Sequence, residues 1–308
     1  MVTSREVGAD ALALWQEVLA RGLGASNTEV DGIPWTMFRR GPLVAAYPRF
    51  PSGLTSADLQ RIEDPHVIAA ALRRSSVGLL RFSAPLPLPA AWVDVRSETT
   101  LAETQLNNLE SWQRSTLSTS VRRKFRKGDS AGLRMIPAEA NDGAKLYTLY
   151  ARSISRQGGR LRYPPAYFDA LCLASTMPGG PTVGKAVIRQ ELAAFVAVLH
   201  LDRTSYYLHG GYIDRFAALR PGYTAMAWAI ETSRDLGSGA FNFLTSPADQ
   251  PALLSYKESF GGTSGQRVHW QQPLTPLGAV AAMVVRLGAT WKRFGTSLQA
   301  FPEKKTSA

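Results

Sequence analysis

The sequence predicts a mixed α/β (α+β) fold, a mostly antiparallel sheet flanked by helices, on three observations. Three strand-like runs follow one another between Pro181 and Ile213, joined by short polar turns, which is the pattern of an antiparallel meander. Helical patterns bracket that meander, two before it and one directly after it. An apolar fraction of 45% beside 19% charged residues belongs to a globular core rather than a disordered chain, and 308 residues suffice for one large or two modest domains.

Taken in order, the first hundred residues read as one small α/β unit. A helix is expected from Asp10 to Arg21, a strand over 33–40, a second helix over 56–75, and strands over 77–82 and 90–96. Between those last two strands lie Pro85, Pro87 and Pro89, which can continue neither a helix nor a ladder. A helical connector is expected over 97–131, because both 97–112 and 118–132 open on hydroxyl residues suited to helix capping. The second unit opens at 132–137 and continues with a long helix over 138–157. A shorter helix follows Pro164 and Pro165, a pair that suits a helix start. After the meander, a helix begins at Arg220-Pro221-Gly222 and ends at Gly237. A strand at 241–244, a helix over 251–262 and a strand near 266–270 complete the unit, which leaves 273–308 as a C-terminal helix and tail.

The composition narrows the function classes. The opening residues carry charge where an export signal needs an apolar run, so a cytoplasmic location is expected. Cys172 is the single cysteine; it excludes an intramolecular disulfide and reads as a small buried apolar residue. The formal charge of +11 favours a phosphate-rich partner, whether a nucleotide, RNA or an anionic membrane face. The apolar stretch 275–291 is interrupted by Arg286 and falls short of the ~20 clean residues of a membrane span. It reads as a helix on its own protein. Peripheral membrane contact is the alternative, with Arg286, Lys292 and Arg293 toward headgroups and Val284, Leu287 and Trp291 inserted.

Familiar catalytic motifs are missing or incomplete. The stretch from Gly179 to Lys185 has phosphate-loop spacing, but Ala186 stands where a hydroxyl residue would hold magnesium. No GxSxG elbow occurs. His66, His200, His209 and His269 show no ligand spacing, so no metal is expected.

One block, Tyr206 to Gly262, remains. It contains a strand ending in YYLHGGY, a loop into the helix starting at Arg220-Pro221-Gly222, a strand end FNFLTSP, and Tyr256-Lys257 followed by Phe260-Gly261-Gly262. With the order helix, helix, three-strand meander, helix, strand, helix, strand, this block resembles the GNAT acyltransferases, and more narrowly their FemAB-like and BioF2-like members. The basic helix VRRKFRK (Val121 to Lys127) is similar to the family's lead-in to its second unit. The resemblance extends from about Val95 onward and implies a tandem arrangement: a degenerate first GNAT-like unit over 1–96, the connector over 97–131, and the acyltransferase unit over 132–272.

The resemblance also implies roles. Lys257 occupies the lysine of the family's Y/F-K-x-x-F/W-G motif beside the acyl donor, where an ammonium stabilises an oxyanion; a surface lysine is the competing explanation. His209 is a base candidate, against a histidine merely satisfied at a strand end. Asp214 is a further base candidate, against a turn aspartate bonding its own backbone. Arg215, Arg220, Gly222 and Tyr223 gather at the helix start, where unpaired N–H groups suit a phosphate of the donor. Arg156, Arg160, Tyr163 and Tyr167, together with Tyr207, are expected to hold the acceptor. The sequence departs from the GNAT Q/R-x-x-G-x-G/A signature, with Leu219 in the Gln/Arg position. That departure leaves the identity of the donor open. Acyl-CoA is the expected co-substrate because the sequence offers no separate tRNA-arm module, with aminoacyl-tRNA as the alternative; no permanently bound cofactor is expected, and a small-molecule or peptide amine is the expected acceptor. Beside these stands a different class, a non-catalytic relative that binds RNA through Val121 to Lys127.

Overall fold

The computed structural model describes residues 4–62, 65–89, 99–156 and 158–284. Helix α1 (Ser4–Leu23) precedes strands β1 (Ser26–Val30), β2 (Ile33–Arg40) and β3 (Leu43–Pro48). Then come α2 (Ser56–Arg61), α3 (Pro65–Arg74), β4 (Leu79–Pro85) and β5 (Thr99–Asn107). The second half runs α4 (Thr119–Ser130), β6 (Arg134–Pro137), α5 (Gly143–Arg156), α6 (Pro165–Ser175), β7 (Thr182–Ile188), β8 (Glu191–Leu201) and β9 (Thr204–Tyr212). It closes with α7 (Pro221–Asp235), β10 (Ala240–Ser246), α8 (Pro251–Glu258) and β11 (Thr263–Pro273).

The eleven strands of the described residues form one sheet in the order β1-β2-β3-β4-β11-β5-β10-β9-β8-β7-β6. Two neighbouring pairs, β3 with β4 and β9 with β10, are parallel; the others are antiparallel. Strand β11, last in sequence, lies between β4 and β5 and so stitches the early strands to the late ones.

The meander forms as its residues dictate. In β8, Ala194, Val196 and Val198 enter one buried cluster while Phe195, Ala197 and Leu199 enter another, so a nearly continuous apolar run is what a strand covered on both faces requires. The turns on either side of β8 are two residues long, Arg189-Gln190 and Asp202-Arg203, and all four residues have positive φ, the backbone that keeps tight hairpins in line with strand twist. The first cluster is closed by α4 and α7, with Val121, Phe125, Ala225, Met226 and Ile230. The second is closed by α1, α5 and α6, with Trp15, Leu146, Phe168 and Leu171. A third sits between the early strands and α2 and α3.

Helix α4 begins where Ser118 accepts a bond from the Val121 N–H. It buries Val121, Phe125 and Gly128 at helical spacing and leaves Arg122, Arg123, Arg126 and Lys127 exposed. Helix α7 starts with Pro221 behind Arg220, which is left-handed at φ 56, and ends before Gly237 at φ 84.

Three expectations are corrected. Residues 99–107 are strand β5, not the start of a helical connector. Leu, Ala, Glu and Gln favour helix locally, but β10 and β11 pair with this segment on both sides, and ladder bonds with burial of Thr104 and Leu106 outweigh propensity. The single helix expected over 56–75 is two, because Pro65 starts α3 anew. Strands β1 and β3 add to the expected β2. The strand expected over 90–96 lies outside the described residues.

Candidate active site

The site begins as a defect in the sheet. Strands β9 and β10 pair over Thr204–Tyr206 and Ala240–Asn242, yet β9 continues to Tyr212 and β10 to Ser246. Where they part, β10 is kinked: Leu244 has φ +57, and its register with β5 shifts between Asn242 and Thr245. A non-glycine residue there costs free energy unless its surroundings hold it. They do. Asn242 accepts from the Leu244 N–H at 2.7 Å and donates through Nδ2 to Glu103 at 3.2 Å. Glu103 in turn accepts from Arg267 at 3.0 Å, and Arg267 also donates to Ser83 and to the carbonyls of Ser52 and Leu54. A buried chain of charge-assisted bonds thus fixes the kink that parts the strands, and beyond Tyr206 β9 presents toward β10 an edge without ladder pairing among the described residues.

Helix α8 sits over this wedge. Eight residues are too few for a helix to persist alone, so tertiary contacts hold it. The Tyr256 hydroxyl donates to the Gly222 carbonyl at 2.8 Å, and Phe260 is fully buried against Tyr223, Tyr256 and Phe125. The start of α7 and the body of α8 therefore converge. Lys257, 2% exposed, donates to the carbonyls of Leu244 at 3.0 Å and Thr245 at 2.9 Å. Burial lowers its pKa to about 8, opposed by the Glu103 charge. Two of its three hydrogens are thus committed to the kink, and an ammonium has a third to give. On β9, the Tyr207 hydroxyl lies over Gly210, where a Cβ would come within 2.5 Å of it. Burial pushes the Tyr207 pKa to about 12, so this phenol keeps its proton. Lys124 of α4 donates to the Tyr223 hydroxyl at 2.8 Å, which places the basic helix beside the start of α7.

The other expected site residues divide. Arg220 is exposed at the start of α7 with no side-chain cap, and Gly222 and Tyr223 stand with it. Arg215 is paired with Glu191 and stacked on Phe216. Asp214 is paired with Arg156, which lies 4.2 Å over the Tyr212 ring, so a proposed base and a proposed acceptor ligand bind each other at the far end of β9. Arg160 is exposed in the loop before α6.

His209 is not beside Lys257. It lies on the opposite face of the sheet from α8, ringed by Tyr150, Tyr163, Tyr167 and Phe168. Its Nε2 shares a 3.0 Å hydrogen bond with the Tyr167 hydroxyl, and burial lowers its pKa to about 3. The expectation that His209 is the base is therefore corrected: its surroundings hold it neutral and shut it away. Tyr167, with no exposure, is corrected with it from acceptor ligand to core residue. His209→Gln should accordingly leave the pH–rate profile between pH 5 and 9 unchanged in shape; a lost or displaced limb would restore the base role.

Asn242, Glu103, Arg267 and Lys124 were not singled out individually from the sequence. Asn242 carried a usable signal, a polar residue inside the apolar run FNFL. Glu103 and Arg267 carried none, since their partners lie up to 215 residues away. A separate opening of about 750 Å³ lies at the sheet edge among Arg134, Lys145, Lys185 and Arg189, lined by none of the residues of the wedge.

The acetyltransferase (GNAT) domain family matches residues 115–258, a span that includes the wedge, α7 and Lys257. No curated protein matches the chain significantly. Among solved structures, FemX is similar over 93% of this chain and 99% of its own, at 10% identity and a TM-score of 0.61. The C-terminal DUF2156 domain of a candidate lysylphosphatidylglycerol synthetase from Agrobacterium fabrum is similar over 92% and 96%, at 12% identity and a TM-score of 0.59. L-PGS from Bacillus licheniformis is similar over 92% and 96%, at 13% identity and a TM-score of 0.57. At such identities the likeness establishes the fold alone, a mixed α/β arrangement with one large, mostly antiparallel sheet flanked by helices.

Proposed function

We propose that this chain, whose residues 115–258 match the acetyltransferase (GNAT) domain family, transfers an acyl group from acyl-CoA to an amine. The observation that carries this reading is the wedge between β9 and β10, with the Lys257 ammonium at the kink and the uncapped start of α7 tied to α8 beside it. The residues fit such a donor. An amide-bearing arm can bond along the unpaired edge of β9, and the start of α7 with Arg220 offers N–H groups and a cation to its phosphates.

In the reaction the amine attacks the thioester carbonyl, and negative charge develops on the carbonyl oxygen. Lys257 stabilises it with the hydrogen not given to Leu244 or Thr245, in a low-dielectric setting where such a bond counts most. As the carbon–sulfur bond breaks, the Tyr207 hydroxyl donates to the departing thiolate. The proton lost by the attacking ammonium passes to Asp214 or to water at the open end of β9, with Arg156 holding the carboxylate in place. Arg160, exposed in the loop before α6, remains the candidate for holding the acceptor, whereas Tyr163 packs on His209 on the other face of the sheet.

A second donor, aminoacyl-tRNA, is favoured by one specific observation: exposed Arg122, Arg123, Arg126 and Lys127 on α4, whose Lys124 touches Tyr223. Incubation with labelled acyl-CoA in parallel with charged tRNA, each with a nuclease-treated control, separates the two. Label transfer from acyl-CoA that survives nuclease supports the first reading; transfer from tRNA alone replaces it with the second. Binding of RNA without transfer from either donor would leave a non-catalytic relative. Salt gives an independent check, because a tRNA complex should weaken with a log–log slope of about 0.9 or somewhat less per phosphate contact and a CoA complex far less steeply.

A further inference from the structure

From residue 276 the chain is helical, described as far as 284, and this segment is turned inside out relative to a core helix. Thr275 caps its start by accepting from the Gly278 N–H at 3.1 Å. Two of its small residues face the protein: Gly278 and Ala282 are buried, and a Cβ on Gly278 would fall 1.8 Å from the Gly78 carbonyl oxygen. Its large apolar residues face outward. Leu277 is 42% exposed, Val280 55%, Met283 56% and Val284 60%. Helices that bury their small residues and expose their large ones spend apolar surface on something outside the fold.

The charge around the segment identifies that something. Leu43 and Thr275 both close on Gly78, and Arg40 is the ladder partner of Leu43, so exposed Arg40 borders the helix. Exposed Arg73 and Arg74 at the end of α3 border it as well, and Arg73 donates to the Leu274 carbonyl at 2.8 Å. From Ser259 to Pro302 the sequence contains no aspartate or glutamate. No helix among the described residues is long and apolar enough to cross a membrane. Strand β11 runs parallel to β10, so the helix that follows it lies at the end of the sheet toward which the wedge opens.

We propose that Leu277, Val280, Met283 and Val284, collared by Arg40, Arg73 and Arg74, form a docking face for an anionic lipid bilayer. The apolar side chains enter the headgroup boundary, and the arginines meet lipid phosphates and carboxylates. The inference is independent of the acyl-transfer reading, and its test requires no turnover.

The full chain is sedimented with vesicles of phosphatidylcholine alone and of phosphatidylcholine mixed with phosphatidylglycerol. It should co-sediment with the mixed vesicles and stay in solution with the neutral ones. V280D/M283D, on exposed positions, should melt with the parent protein and bind at least about tenfold more weakly. Arg40→Gln and Arg74→Gln should each weaken binding about fivefold at low salt. Failure to bind the mixed vesicles, or binding untouched by V280D/M283D, overturns the proposal. So does a parent dimer in sedimentation equilibrium that V280D/M283D dissociates, because the face would then serve a second copy of the chain.

Discussion

Lys257→Ala lowers turnover about a hundredfold or more, the loss expected when an oxyanion donor is removed from a closed site, while substrate affinity changes far less. The variant's urea unfolding must be followed alongside, since two carbonyls of β10 lose their donor. The pH dependence is the sharper readout. Burial holds the Lys257 pKa at about 8, so the ammonium is present below that value and lost above it. Activity of the parent should fall as pH rises through about 8, and this limb should vanish in the residual activity of Lys257→Ala. Stability has the opposite sign. The folded pKa lies below the unfolded value of 10.5, so between about 8 and 10.5 unfolding takes up a proton, and the folded state gains stability as pH rises across that window. Turnover within a few-fold of the parent, or an alkaline limb that persists in the variant, would remove Lys257 from the reaction.

Arg267→Met costs about 3–5 kcal/mol of folding stability, the range for breaking one side of a buried ion pair. Side-chain exposures of 7% for Arg267 and 13% for Glu103 leave little water to replace the lost partner, and the Ser83 hydroxyl and the Ser52 and Leu54 carbonyls lose a donor too. Replacing both members, Arg267→Met with Glu103→Leu, should recover part of the loss, because no charge is then left buried alone. The double variant also frees Asn242 from Glu103 and loosens the Leu244 kink, so it should regain stability without regaining full turnover. A urea midpoint for Arg267→Met close to the parent's would show that the network contributes nothing to the fold. Recovery of activity in step with stability would show that it does not position the site.

What could be read in advance depended on how far apart the interacting residues lie. The start of α7 was legible because Pro221, Gly222 and Gly237 act within a few residues of themselves. The same holds for α4, whose Val121, Phe125 and Gly128 spacing marks its inner face. Strand β5 was misread as helix because its composition speaks for helix locally, while its ladder partners come from β10 and β11, far along the chain. Lys257 was legible through a short motif. Its setting was not, since a left-handed Leu244 held by Asn242, Glu103 and Arg267 leaves no trace in local pattern.

By itself the sequence determined the meander, the helices that flank it, the basic face of α4 and the Tyr256-Lys257 motif, because periodicity, capping and turn chemistry operate over a turn or two of backbone. Tertiary structure alone decided that His209 and Lys257 lie on opposite faces of the sheet. A strand turns successive side chains to opposite sides, and the bulge in β9 beside His209, where Leu208 is the extra residue, sets which side each one takes. It also decided that β9 and β10 part after three residues, because the kink that separates them is stabilised by a buried ion pair assembled from segments that meet only when the whole sheet closes.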